Sequence, residues 1–335
     1  MSLRLSVLDQ SIATAGRGQD AALRQSLQLA QDAEAWGYHR FWVSEHHSHP
    51  SIVGTAPEVL MAAIAARTQR IRIGSAGVML PHYAAFKVAE QFRVLDALAP
   101  GRIDLGLGRA PGSDRRTAQA LNPHVSGMAE DFPQQVMDLQ AWVSGRPHQG
   151  VVAHPLPPST AEAGPDRRPE MWILGSSDYG AQLAAHLGLP YAFAYFITEG
   201  QGVEQALELY RANFRPSAEC PKPHAAICVW ALAADTEEEA WRLFQSRARW
   251  RMDRNVGRLT ALYPPDEAVR EYTLSEQHAL ETLRANAFVG TGAQVASKLR
   301  ALSQRLEVDE LALITWTHDS QAQRRSYQLL AQEML

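Results

Sequence analysis

The chemistry-bearing residues of this chain cluster in four short stretches. The first is Ser44-Glu45-His46-His47-Ser48-His49, which crowds three imidazoles and a carboxylate into one loop. The residues themselves read as a metal site or as a polar surface loop, and loops of this kind are where binding and catalytic groups concentrate. A metal site fits it poorly. Adjacent His46 and His47 point to different sides of an extended chain, and no helical i, i+4 pair is present. The second stretch is Gly74-Ser75-Ala76-Gly77-Val78-Met79-Leu80-Pro81. Its small residues would let a flat ligand approach the backbone, although tight strand packing uses small residues too. The third, Gly106-Leu107-Gly108-Arg109, offers one permanently charged fork suited to phosphate, although taken alone it reads better as an exposed Arg in a turn. The fourth, Gly175-Ser176-Ser177-Asp178-Tyr179-Gly180, reads as a hydroxyl-rich turn opening a helix. Free N–H groups there would take an anion, or Ser177 or Asp178 would serve as an ordinary cap.

Each stretch follows a short apolar run. Strands are expected at Leu3–Leu8, Phe41–Ser44, Ile71–Ala76, Ile103–Leu107, Met171–Leu174, Tyr191–Tyr195, Ala225–Ala231 and Leu311–Ile314. Between them the period changes to helical over Asp20–Trp36, Pro57–Arg67, Ala85–Leu98, Asp131–Val143, Tyr179–His186, Val203–Phe214, Thr236–Trp250 and Thr291–Leu306, with a last helix over Gln321–Leu335. The first helix places Leu23, Leu27, Ala30 and Ala33 on one face. Eight strand–helix units predict an α/β chain folded as a single (β/α)8 TIM barrel over residues 1–335, with its functional groups after the strands. An open doubly wound sheet is the alternative, but no dinucleotide fingerprint follows the first strand. A Pro-rich segment, Arg146–Pro169, makes a rim insertion between strands four and five. Arg251–Val289, before the last barrel strand, reads as irregular and partly helical.

Composition narrows the function further. The formal net charge of −4 gives no electrostatic footprint for nucleic acid or an anionic membrane. No run approaches the roughly 18 apolar residues a membrane helix needs, and no signal peptide is evident, so a cytoplasmic protein is expected. Two cysteines, Cys220 and Cys228, offer neither a disulfide framework nor zinc spacing, and no metal is expected. No nucleophile elbow of the Gly-x-Ser-x-Gly type is evident.

The stretches Phe41–His47, Arg70–Pro81 and Glu90–Arg109, in this order and spacing, resemble the bacterial luciferase-like flavin monooxygenases, with Gly175-Ser176-Ser177 fitting that family's phosphate turn. The match looks closest to the single-chain luciferase-like oxidoreductases. The resemblance implies FMN as cofactor, delivered reduced by a separate flavin reductase. It implies oxygen as co-substrate and a flavin C4a-hydroperoxide that oxidises a small organic substrate, an aldehyde or another apolar carbonyl compound. It implies His46 as the catalytic acid–base and Glu45 as a flavin-pocket carboxylate. Ala76–Gly77, with Ser75, would be a non-prolyl cis peptide beneath the flavin ring, and Arg109, Gly175, Ser176, Ser177 and Tyr179 would hold the phosphate. It also implies a lid over Arg251–Val289 and a homodimer through Pro57–Arg67 and Ala85–Leu98. Gly108 and Gly112 stand where luciferase has a cysteine and a tyrosine, which implies a roomier pocket and argues against light emission. Two other readings are a deazaflavin-dependent hydride-transfer oxidoreductase and a non-catalytic flavin-binding protein. The second would have shed barrel segments, and this chain keeps all eight units.

Overall fold

In a computed structural model the described residues are 3–109, 114–124, 129–157 and 168–335. Nine parallel strands form: β1 (Arg4–Asp9), β2 (Arg40–Val43), β3 (Arg72–Met79), β4 (Ile103–Gly108), β5 (Glu170–Gly175), β6 (Tyr191–Phe193), β7 (Ala225–Ala234), β8 (Phe288–Thr291) and β9 (Glu310–Ile314). Each of β1 to β7 pairs with the next, and β9 pairs with both β7 and β1, so eight strands close a parallel barrel. The expected (β/α)8 architecture is therefore the observed one.

The strands follow from their composition. They are short, rich in branched and aromatic residues, and buried on both faces, which is the pattern a helix-covered parallel sheet requires. Alternate residues divide between two cores. Leu5, Val7, Phe41, Val43, Ile73, Leu105, Ile173, Tyr191, Ile227, Leu311 and Leu313 join the layer under the helices. Leu8, Trp42, Trp172, Ala192, Cys228, Trp230, Ala312 and Ile314 belong to the second cluster, which fills the barrel interior. Trp42 and Trp172 meet edge to face at 5.1 Å and plug its middle.

Below that plug, at the starts of the strands, lies a charged layer. Arg40 donates through Nη1 to Asp104 (2.9 Å) and through Nε to Glu310 (2.8 Å). Arg72 pairs with Asp104, and the Trp42 indole N–H also donates to Asp104 (2.9 Å). Asp104 and Glu310 are fully buried. Burial alone would raise the Glu310 carboxyl, but Arg40 and His224 hold it well below the ordinary range. Conserving such a layer matters to the fold because removing one member leaves a buried charge unmatched, at roughly 3–5 kcal/mol. It sits at the opposite end from the strand C-termini, where barrel chemistry is found.

Three features differ from the sequence expectation. Leu23 is exposed; the helix Gln19–Trp36 buries Ala22, Ser26, Leu29, Ala30 and Ala33. The small residues win because Ser26 comes close enough to hydrogen-bond Asp9 and Ser11. The additional strand β8 straddles the end of the segment read as irregular and partly helical, and it pairs with the end of β7, Ala231–Ala234. The same segment holds helices at Pro265–Ala268 and Leu274–Ala285, the latter opened by a Thr273–Glu276 capping box. Another helix, Arg115–Leu121, stands in the insertion after β4. The described part of the Pro-rich segment carries an antiparallel bridge, His148 to Val151, and the Pro155 carbonyl accepts from Arg93 (2.9 Å).

Candidate functional site

The mouth of the barrel encloses a cavity of about 660 Å³. That is a size for a drug-sized organic ligand. Its lining comes from the loops after β1 to β7 and β9, with the helix Glu237–Asn255 closing one side.

One wall is shaped by glycines. The Ala76–Gly77 peptide is cis, and the β3–β4 register shifts between Ser75 and Val78. A Cβ on Gly77 would lie 2.5 Å from Leu174 Cδ1 and 2.7 Å from the Gly106 carbonyl oxygen. A Cβ on Gly106 would lie 2.1 Å from the Ser75 carbonyl oxygen. The two backbones therefore touch, and only glycine fits. Ser75 fastens the contact: its hydroxyl donates to the Gly106 carbonyl (2.9 Å) and accepts from the Gly106 N–H (3.1 Å). Ser75 is wholly buried behind the wall, while Ala76, Gly77 and Gly108 line the cavity. Gly112 lies outside the described residues.

A second wall carries an anion-binding set. Arg109, at the end of β4, lies with its guanidinium carbon 3.8 Å from the Tyr179 ring centroid. No carboxylate pairs with it among the described residues. Gly175, Ser176, Ser177 and Tyr179 line the same side. Ser177 occupies the N-cap position of the helix Asp178–Leu187, but its side chain makes no capping bond. Ser177 is therefore not the cap this turn offered, and its hydroxyl stands beside a helix N-terminus whose first amides have no partner within the helix.

The histidine loop splits into wall and support. His46, His47 and His49 line the cavity. Glu45 does not. It is fully buried and accepts from Tyr83 Oη (2.6 Å) and the Met79 N–H (3.1 Å), with its other contact to His47 Nε2 at 2.7 Å. Its placement anchors the loop rather than touching a ligand. His49 Nδ1 accepts from the amides of Ser51 and Ile52 (both 3.1 Å), which fixes its proton on Nε2. Burial, reinforced by His49, His47 and Arg254, pushes His46 down to about 4, so it is neutral at pH 7. Its Nδ1 is buried without a hydrogen-bond partner. Among the described residues no group of three or more His, Cys, Asp and Glu is arranged to hold a metal ion.

Sequence reasoning missed the third wall. Trp230, Trp250 and Trp316 line it, with Trp250 and Trp316 edge to face at 4.6 Å. Trp250 donates to Ser51 Oγ (2.8 Å), tying the helix Glu237–Asn255 to the loop after β2. From that helix Arg247, Arg251 and Arg254 reach the cavity. Their i, i+4, i+7 spacing was legible as one helix face, but nothing in the sequence said which way that face points. Cys228, expected in the core, is buried and also borders the cavity; burial raises its thiol to about 12, so it stays protonated. From Arg251–Val289 only Arg251, Arg254 and Leu259 contribute.

The cavity at the C-terminal rim of this α/β barrel thus brings together a guanidinium with no carboxylate partner among the described residues, a helix N-terminus and a buried neutral imidazole. The comparisons narrow this to one family. Residues 3–310 match the model for luciferase-like monooxygenases. An uncharacterised Bacillus subtilis protein, YwcH, is 44% identical over 328 residues, 97% of each chain. The N-acetyl-S-alkylcysteine monooxygenase of the same organism is 37% identical over 340 residues, covering 99% of this chain and 98% of its own. The solved structure of apo-MsnO8 superimposes with a TM-score of 0.90 at 34% identity, covering 99% of this chain and 98% of that one. The chain belongs to the luciferase-like monooxygenase family.

Proposed function

We propose that this chain is an FMN-dependent monooxygenase acting on a small organic substrate. The observation that carries the reading is the pairing of Arg109 with the unspent N-terminus of the helix Asp178–Leu187 at one side of the cavity. The residues fit the cofactor. Arg109, Ser176, Ser177 and Tyr179 would hold a terminal phosphate, with Gly175 in the same turn; the flat surface of Ala76 and Gly77 would face the ring system. Reduced FMN, when bound, supplies two electrons to molecular oxygen, so that one oxygen atom enters the substrate and the other leaves as water.

The chain's own residues do the rest. Trp230, Trp250 and Trp316 supply an apolar wall that excludes water from the reacting centre. His46, neutral at the working pH, accepts a proton or a hydrogen bond at the cavity wall. Glu45 is a positioning residue: through His47, Tyr83 and Met79 it fixes the loop that carries His46. Electrons arrive with FMN from a separate flavin reductase in this reading.

The deazaflavin reading uses the same barrel, and a binding comparison separates the two. Titration with FMN, riboflavin and a deazaflavin cofactor is expected to favour FMN. Tight deazaflavin binding with none for reduced or oxidised FMN would overturn the proposal.

We also infer pairing of two copies through the helices Pro57–Ala65 and Ala85–Leu98. Val59 (65% exposed), Val94 and Leu98 (67%) stand out on these two helices, around a shallow apolar groove. Exposed side chains of this size, grouped together, favour a protein contact over solvent.

A further inference from the structure

A second group of guanidiniums borders the cavity besides Arg109. On the helix Glu237–Asn255, Arg247, Arg251 and Arg254 share the face that borders the cavity. Glu199 is their one carboxylate partner among the described residues, 3.1 Å from Arg247 and 3.5 Å from Arg251. Arg247 is buried over the Trp230 ring at 4.2 Å and is satisfied there. Among the described residues Arg254 meets no carboxylate; its guanidinium carbon lies 5.8 Å from the Trp250 ring. The nearest acid on the helix, Asp253, faces elsewhere and is taken by Arg249 (2.6 Å) and Arg270 (3.3 Å). His46 and His49 add no negative charge. Three guanidiniums against one carboxylate leave two positive charges unmatched at this wall.

This cluster is separate from the phosphate set. Arg109 and Tyr179 follow β4 and β5, whereas the Arg254 helix follows β7 and leans on the loop after β2 through Trp250 and Ser51. In the barrel order β4 and β7 are three strands apart. The same cavity is also lined by the apolar Leu8, Ile52, Ala192, Trp230 and Trp316.

We propose that the substrate is an organic acid, an apolar body bearing one carboxylate or sulfonate group, with that group seated against Arg254 and Arg251. This deepens the monooxygenase reading and rests on it for the chemistry that follows binding. A guanidinium presents two parallel N–H donors that match a planar acid group. Arg254 is exposed at the cavity mouth and Arg251 is partly buried, so the contact with Arg251 is the less screened of the two. The acid group would place the apolar end of the substrate toward the barrel interior. A neutral aldehyde leaves the same charges unmatched and is the poorer ligand.

The test is equilibrium binding, read by quenching of the cavity tryptophans, with hexanoate, hexanesulfonate, hexanamide and hexanal as probes. It is run on the full chain with and without reduced FMN under anaerobic conditions. Hexanoate or hexanesulfonate is expected to bind roughly tenfold or more tightly than hexanamide. Arg254→Gln is expected to erase that preference, Arg254→Lys to retain part of it, and Arg109→Gln to leave it intact. Equal binding of acid and amide by the native chain would overturn the proposal. So would loss of FMN preference over riboflavin in Arg254→Gln, because the cluster would then be the phosphate site. Because the acid preference is read without flavin too, failure to bind FMN would sink the cofactor reading alone.

Discussion

The guanidinium carbon of Arg109 lies 3.8 Å from the centroid of the Tyr179 ring, stacked and without a carboxylate partner among the described residues. The ring holds the fork in place, and no carboxylate among the described residues takes its N–H donors. Arg109→Gln is expected to weaken FMN binding roughly 10- to 100-fold, the worth of a charge-assisted contact, and riboflavin binding hardly at all. Tyr179→Leu keeps the charge but loses its platform, so a smaller loss of roughly threefold to tenfold is expected. Flavin fluorescence titration measures both. Equal losses for FMN and riboflavin would show that Arg109 does not meet a phosphate.

Gly106 makes a harder demand. Its missing Cβ would sit 2.1 Å from a backbone oxygen of β3, which no side-chain rotation relieves. Gly106→Ala should therefore cost on the order of 3 kcal/mol or more and disturb the cavity wall at Ala76–Gly77. Thermal unfolding against Gly101→Ala, an open position with φ of 73°, separates overpacking from backbone strain. A Gly106 variant as stable as the native chain would refute the close contact.

His46 sets a pH dependence whose sign is fixed by its depressed value. An unfolded histidine takes up its proton near pH 6.5; in the native chain burial and its charged neighbours delay that to about 4. The unfolded state binds more protons across this window. Stability from this group is complete above about pH 6.5 and is lost as the pH falls toward 4, by on the order of 3 kcal/mol. In His46→Gln this part of the pH slope should vanish from chemical denaturation curves. The same variant should lose roughly a hundredfold in substrate oxygenation while still binding FMN. An unchanged rate would remove His46 from the chemistry.

The apolar groove between Val59 and Leu98 predicts a concentration-dependent pair. Leu98→Asp should shift the native chain toward monomer in sedimentation velocity, with flavin binding intact. A monomeric native chain at micromolar concentration would contradict it.

Much of this was legible in the sequence because period and punctuation are local. All eight barrel strands show as short apolar runs, and Gly77, Arg109 and Ser177 follow directly after three of them. What was not legible depends on distant chain. Glu45 reads as a pocket carboxylate, yet Tyr83 and Met79, more than 30 residues away, absorb its oxygens behind the wall. Arg254 and Trp250 reach the site only because their helix leans from β7 across to Ser51, a contact set by tertiary packing. The strand β8 depends on a distant partner, the end of β7, Ala231–Ala234.

The central claim is that bound reduced FMN meets oxygen in this cavity. Anaerobic mixing of the protein with reduced FMN, followed by oxygen in a stopped-flow spectrometer, tests it most directly. The account predicts a flavin spectrum distinct from both the reduced and the oxidised cofactor, lasting longer than the reoxidation of free FMN. It also predicts that Arg109→Gln abolishes that signal at the same FMN concentration. Reoxidation at the rate of free FMN, with no distinct species in the native chain, would contradict it.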